Sequence, residues 1–216
     1  MAVTEAQPGN ERVRGGGKAR ERILEAAYDL FAHRGIQAVG IDAIIAHSGV
    51  ARQTLYRHFS SKQALVLAFL ERREELWTKD WLQSEVKQRS ADPEQRLLAV
   101  FDVFDGWFRS PGFEGCSFIN VMLEITDPAD PIHRAGTSYL VKIRDFLEDL
   151  ARSAGIADAD NFARQWHILM KGSIVAAAEG DQDAALRAQQ IATIALRDAK
   201  RLEPWSRPLL GKPSPH

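Results

Sequence analysis

Among the 216 residues there is one cysteine, Cys116. That excludes an internal disulfide framework and a cysteine-based zinc ribbon, and it fits a reducing compartment. Long apolar runs are also missing. Ile174-Val175-Ala176-Ala177-Ala178 is an example of the short runs present. A membrane span needs roughly 20 residues, far more than that. Met1 to Gly17 lacks an apolar signal core, so no export is expected. There is no strand-period segment of useful length, no internal repeat, and no low-complexity block beyond the two ends. Gly15-Gly16-Gly17 precedes no strand and is followed by no Lys-Ser/Thr pair, so it is not a phosphate-cradling loop. Hydrophobic residues make up 45% and charged residues 26%, which suits a globular chain and not a disordered one.

Net charge is also small, −1, which at first argues against a nucleic-acid partner. The average conceals an asymmetry. Residues 1–62 carry nine lysines and arginines against six acids, and residues 63–216 carry nineteen against twenty-three. Residues 43–62 contain no acid at all, only Arg52, Arg57, Lys62 and two histidines. Such a stretch can dock phosphate, although a solvated basic face has the same composition.

Helical periodicity dominates after a flexible arm at 1–17. Ile23, Ala27, Leu30 and Phe31 share one face of a first helix, which Gly35 ends. Gly40 caps a short second helix, Ile41 to His47, with Ile44 and Ile45 inward. Ser48-Gly49-Val50 forms a tight turn before a third helix, Ala51 to Arg57. Ser60-Ser61 caps a fourth, Lys62 to about Trp81. Asp92-Pro93-Glu94 opens a fifth, which stops at Pro111-Gly112. A sixth covers Cys116 to Ile125. Asp130-Pro131 opens a seventh, which reaches about Ser153. The eighth and ninth run from about Ala159 to Glu179 and onward to about Arg201. A proline-bearing tail, 204–216, follows. The expected class is all-α, with about nine helices.

Short helix, glycine turn, short helix is the helix-turn-helix plan. Leu55 and Phe59 face inward on the third helix, so Arg52, Gln53, Tyr56 and Arg57 face outward. Arginine and glutamine suit paired hydrogen bonds to base edges in a major groove. An ordinary αα corner has the same periodicity, and the pattern alone does not separate the two.

The residues themselves are more specific. Gly35 to Ile44, followed by Ser48-Gly49-Val50-Ala51-Arg52-Gln53-Thr54-Leu55-Tyr56-Arg57-His58-Phe59-Ser60-Ser61-Lys62-Gln63-Ala64-Leu65, resembles the N-terminal domain of TetR-type transcriptional repressors. The resemblance runs without a gap from about Arg20 to Leu65. Gly115 to Glu124 more weakly resembles a segment in the variable domain of one branch of these regulators. Gly40 and Ala51 stand where the family favours hydroxyl residues, and Ala51 forgoes a side-chain cap worth about 1 kcal/mol. Ile45 and Ser48 replace small alanines.

The resemblance implies a helix-turn-helix DNA-binding domain at 18–64 and a helical ligand-binding and dimerisation domain at 65–203. It assigns Arg52, Gln53, Tyr56 and His58 to the DNA-reading helix, and Thr54 and Lys62 to phosphate contacts. It also implies a ligand cavity among the fourth to eighth helices. Trp77, Phe104, Trp107, Phe108, Phe118, Met122, Trp166 and Met170 are the candidates for lining it, and an aromatic-rich cavity favours an apolar or aromatic effector. The same aromatic stripes also serve as ordinary core. The eighth and ninth helices are rich in small residues, among them Gly172, Ser173, Ala177, Ala188, Ala192 and Ala195. In the resembled family these two helices form a four-helix dimer interface. The implied protein is a cytoplasmic homodimer that binds a palindromic operator and is released by a small molecule, with no membrane partner, no cofactor and no enzymatic activity.

Two other chemistries are conceivable on the same scaffold. Cys116 is a candidate redox group, although no nucleophile signature surrounds it. Glu124, Asp127, Asp130 and His133 are candidate metal ligands, and the acids among them serve equally well as helix caps.

Overall fold

The structure is a computed structural model that describes residues 16–202. Among these residues it contains nine helices. They are α1 Gly16–Arg34, α2 Ile41–Ser48, α3 Arg52–His58, α4, α5 Pro93–Phe108, α6 Ser117–Glu124, α7 Pro131–Ser153, α8 Ala159–Ala178 and α9 Ala184–Asp198. Helix α4 has three successive stretches: Lys62–Arg73, the π-helical Glu74–Gln83, and Ser84–Arg89. Residues 1–15 and 203–216, which hold most of the expected arm and the expected tail, lie outside the described residues.

The helix boundaries follow local chemistry. Ser61 caps α4 by accepting a hydrogen bond from the Ala64 amide at 3.1 Å. Asp92 caps α5 by accepting from Glu94 and Gln95. Pro93 follows in the first turn, where a missing N–H costs nothing. Asp130 accepts from the Ile132 amide at 2.7 Å at the start of α7, and Asp158 accepts from Asn161 at the start of α8. Helix α2 begins after Gly40 and α3 after Ala51, both extended and neither giving a side-chain cap.

Three boundaries differ from expectation. Helix α1 begins at Gly16, inside the expected arm. Helix α4 continues past Trp81 to Arg89 through its π-helical stretch, because no proline or glycine interrupts 62–89. Helix α9 ends at Asp198 and not near Arg201. Ala199 turns extended, and residues 200–202 bond to the α7–α8 loop instead: Ala157 donates to the Lys200 carbonyl and Leu202 to the Gly155 carbonyl. This leaves an isolated bridge between Ile156 and Arg201.

The described residues form two compact units. The first comprises 16–84 and 110–143. Ile23, Ile44, Leu55 and Leu65 are its fully buried aliphatic centre. Phe69 of α4 meets Tyr28 edge-on at 5.4 Å and Phe31 at 5.5 Å. These ring contacts fasten α4 to α1. The second unit comprises 85–109 and 144–202. In it α9 packs on α5 and α8. Trp166, 1% exposed, lies between Phe101 at 5.5 Å and Phe162 at 5.1 Å.

Candidate functional site

The helix-turn-helix is held together by three contacts. Gly49 ends α2 with φ +64°. That conformation penalises any Cβ. The Gly49 amide donates to the Ile45 carbonyl at 3.0 Å. Arg22 of α1 reaches the same turn and donates to the Ser48 carbonyl at 2.6 Å. Leu55, 0% exposed, and Phe59, 4% exposed, pin the inner side of α3, and Arg20 lies over the Phe59 ring at 5.2 Å.

With that face buried, Arg52, Gln53, Tyr56 and Arg57 are exposed on the other side of α3. Thr54, His58 and Lys62 are half-buried. The Nε2 of His58 is buried with no hydrogen-bond partner, so this ring is directed partly into the protein. Arg52 forms an exposed ion pair with Asp42 of α2, a partner its position in the sequence does not advertise. Lys62 opens α4. The first amides of a helix have no helical acceptor, and a lysine in that first turn adds positive charge, a combination that attracts phosphate.

A residue outside the expected DNA-binding set ties this region to α6. The Glu124 carboxylate accepts from the amides of Ile36, at 3.2 Å, and Gln37, at 2.8 Å, in the α1–α2 loop. Gly35 just before them has φ +77°, and a Cβ there would meet Glu124 Oε1 at 2.8 Å. The separation of 88 residues leaves no local sequence signal for this contact. Glu124 and His133, candidate metal ligands by sequence, have other partners here. Glu124 is engaged by these amides, and His133 Nδ1 lies 2.6 Å from the Ile125 carbonyl. Asp127 accepts from Ala129 and Asp130 from Ile132, as caps do. Among the described residues no three His, Cys, Asp or Glu side chains converge. Cys116 is buried.

The effector candidates fall in both units. Trp77, Phe118 and Met122 belong to the first. Trp77 and Phe118 are buried, Met122 is half-buried, and Phe118 lies 5.1 Å from the Tyr139 ring. In the second unit Phe104, Trp107 and Phe108 form a mutual ring cluster at 5.5 Å, and Trp166 and Met170 are almost fully buried. An open groove of about 400 Å³ in the second unit is lined by Phe162, Gln165, Ala195 and Lys200 among others, and by none of these candidates.

The expected interface residues divide by burial. Gly172 is exposed, and Ala177 and Ala195 are half-buried. Ser173, Ala188 and Ala192 are instead buried within the protomer, at 4%, 7% and 0% exposure. Ser173 donates back to the Met170 carbonyl at 2.8 Å. These three face into the second unit and leave little surface for a partner. The outer face carries larger apolar side chains, Ile168 and Val175 on α8 and Ile191 and Ile194 on α9, each about half exposed or more.

The comparisons with known proteins agree with a helix-turn-helix at this end of the chain. A family model described as bacterial regulatory proteins, tetR family, matches residues 23–69. A solved TetR-family transcriptional regulator from Streptomyces coelicolor is 33% identical, with 84% of this chain and 90% of that one covered at a TM-score of 0.76. The chain belongs to the TetR family. It is a helix-turn-helix transcriptional regulator, all-α, with the DNA-binding motif at its N-terminal end. A second solved tetR-type regulator, from Streptomyces avermitilis, is similar at 28% identity, covering 85% of this chain and 99% of that one, with a TM-score of 0.74. The HTH-type transcriptional activator FasR of Mycolicibacterium smegmatis is 36% identical over 116 residues, 48% of this TetR-family chain. The chain thus spans about half the length of that curated relative, 51%. Among the described residues no helix is long and apolar enough to cross a membrane.

Proposed function

We propose that this protein is a ligand-responsive transcriptional repressor, a homodimer that binds a palindromic operator and is released by a small, apolar or aromatic effector in the cytoplasm. The observation that carries the reading is the split of α3: Leu55 buried, and Arg52, Gln53, Tyr56 and Arg57 exposed together on the opposite side. Residues 18–64 read the DNA. Arg52, Gln53 and Tyr56 meet base edges, His58 borders them, and Thr54 and Lys62 hold phosphates. Residues 65–203 bind the effector and dimerise, and no enzymatic step is assigned to them.

Dimerisation is supported by Ile168, Val175, Ile191 and Ile194, exposed on adjacent helices, with Gly172, Ala177 and Ala195 among them. A second copy of the same face buries these side chains and matches the two-fold symmetry of a palindrome. The recognition helices must then lie about 34 Å apart, one DNA turn. The effector candidates stand in each unit separately, Trp77, Phe118 and Met122 in the first and Phe104, Trp107, Phe108, Trp166 and Met170 in the second, and either set is an aromatic-rich environment that suits the ligand.

The test is binding to the DNA upstream of its own gene, over a range of salt, by anisotropy. Specific binding should fall steeply with salt. Arg52→Ala should relax base preference, whereas Lys62→Ala should weaken all sequences alike and flatten the salt dependence. Retained binding by both variants rejects the helix-turn-helix assignment. A reporter that falls when the regulator is deleted identifies an activator instead, the sign named for FasR. If no compound or cell extract alters operator affinity, the sensor role is wrong and constitutive DNA binding replaces it.

A further inference from the structure

The π-helical stretch of α4 holds polar groups that the DNA-binding role does not use. Wide turns of this kind recur at functional sites. Glu74 is 3% exposed, and its Oε2 is buried with no hydrogen-bond partner. Thr78 is 0% exposed, and its Oγ1 is also without a partner. It lies four residues beyond Glu74, on the same side of the helix. Buried polar atoms of this kind are seldom left unmet, and a buried carboxylate least of all.

A cation faces them. Lys142 of α7 holds its Nζ 3.9 Å from Glu74 Oε1 and 4.8 Å from the centre of the Tyr139 ring. The first distance is too long for a close ion pair. The Lys142 side chain is 51% exposed, so it reaches the carboxylate from the solvent side. Arg73, next to Glu74, is directed elsewhere: it donates to the Tyr28 hydroxyl at 2.6 Å and lies over that ring. The surroundings are negative. Burial, and then Glu71, Glu74 and Glu75, push the Tyr139 phenol above its ordinary value. Tyr139 in turn lies against Phe118, which provides an apolar wall.

We propose that Glu74 and Thr78, with the face of Tyr139, form a recognition site for the ammonium group of a cationic organic effector, and that Lys142 is the internal cation this ligand displaces. An ammonium brings up to three N–H donors, enough for the unmet Glu74 and Thr78 oxygens, together with a charge for the carboxylate and the ring. The lysine already shows that an ammonium fits beside both. The apolar remainder of the ligand lies against Phe118 and Tyr139. This rests on the effector reading above and narrows the ligand from apolar or aromatic to apolar with one positive charge.

The test uses the full chain without DNA and follows tryptophan fluorescence and the melting temperature. The probes are phenethylammonium and hexylammonium, each against its alcohol, 2-phenylethanol and 1-hexanol. The ammonium ions should bind about tenfold or more tighter than the alcohols, and Glu74→Gln should remove that advantage. Thr78→Val should weaken ammonium binding several-fold. Lys142→Met should tighten it several-fold, because the competing cation is gone; a purely structural ion pair predicts lost stability and no gain in binding. If Glu74→Gln does not fold, the Thr78 and Lys142 variants decide.

Equal binding of amine and alcohol overturns the proposal. So does unchanged ammonium binding in a folded Glu74→Gln, or no ammonium binding to wild type and Lys142→Met alike. Ammonium binding that leaves operator affinity unchanged sustains the site and rejects the effector reading. Operator release by another class of compound, without ammonium binding, does the reverse.

Discussion

Gly35 and Glu124 offer a measurable test of how α6 is fastened to the DNA-binding region. Gly35→Ala has two separable costs. The backbone of Gly35 has φ +77°. An L side chain in that left-handed region costs roughly 1–2 kcal/mol whatever surrounds it. The new Cβ would also stand 2.8 Å from Glu124 Oε1 and 3.1 Å from its Cδ, so the carboxylate must move. Moving it strains the hydrogen bonds from the Ile36 and Gln37 amides to a charged acceptor. Each such bond is worth about 1.5–3 kcal/mol. Gln37 lies at the exposed edge, where water replaces part of its bond. The clash should therefore add about 1–3 kcal/mol to the backbone cost.

The assay is a double-mutant cycle by urea unfolding, at one protein concentration so that any dimerisation contributes equally. With Glu124→Ala the obstruction is gone, and Gly35→Ala should cost only its backbone share. The coupling energy should then be about 1–3 kcal/mol. Gly35→Ala costing the same in both backgrounds, within about 0.5 kcal/mol, would refute the clasp between α6 and the α1–α2 loop.

Three further outcomes are expected. Asp42→Ala releases Arg52 from its exposed ion pair and removes an acid beside α3. Operator affinity should then rise by up to about 1 kcal/mol in an anisotropy titration, and no change would separate Arg52 from the DNA. Ile194→Arg should halve the mass seen by light scattering while helicity is kept. Ala192→Arg should instead unfold the chain, because that site is 0% exposed within the protomer and an unpaired buried charge is not tolerated. His167 is buried, and burial first, then Lys171 and Arg144, pushes its imidazole from 6.5 down to about 4. Between those two values the unfolded chain binds the extra proton. The stability that neutral His167 retains above its unfolded value should therefore be lost as pH falls through that window, on the order of 3 kcal/mol in all. His167→Leu should flatten the pH dependence of urea unfolding there, and an unchanged slope would assign the loss to other groups.

The features legible in the sequence are those whose causes lie within a few residues of one another. Asp92-Pro93, Ser61 and Gly35 punctuate helices through short-range hydrogen bonds and backbone preference, and they do so where expected. The amphipathic period of α3 likewise decides by itself that Leu55 turns inward and Arg52 outward. What separates a DNA-reading helix from an ordinary corner was carried by residue identities and not by periodicity. Tertiary structure alone decided the rest. Small residues read the same whether they bring two helices together inside a protomer or between protomers, and only burial sent Ala192 inward and left Ile194 outside. Glu124 stays open as a candidate metal ligand in the sequence because a carboxylate near acids and a histidine is all that a linear chain displays; the amides it holds are 87 and 88 residues away. The unmet oxygens of Glu74 and Thr78 were invisible for the same reason. Whether a polar atom has a partner depends on the neighbours that folding brings to it, and those neighbours are not adjacent in the sequence.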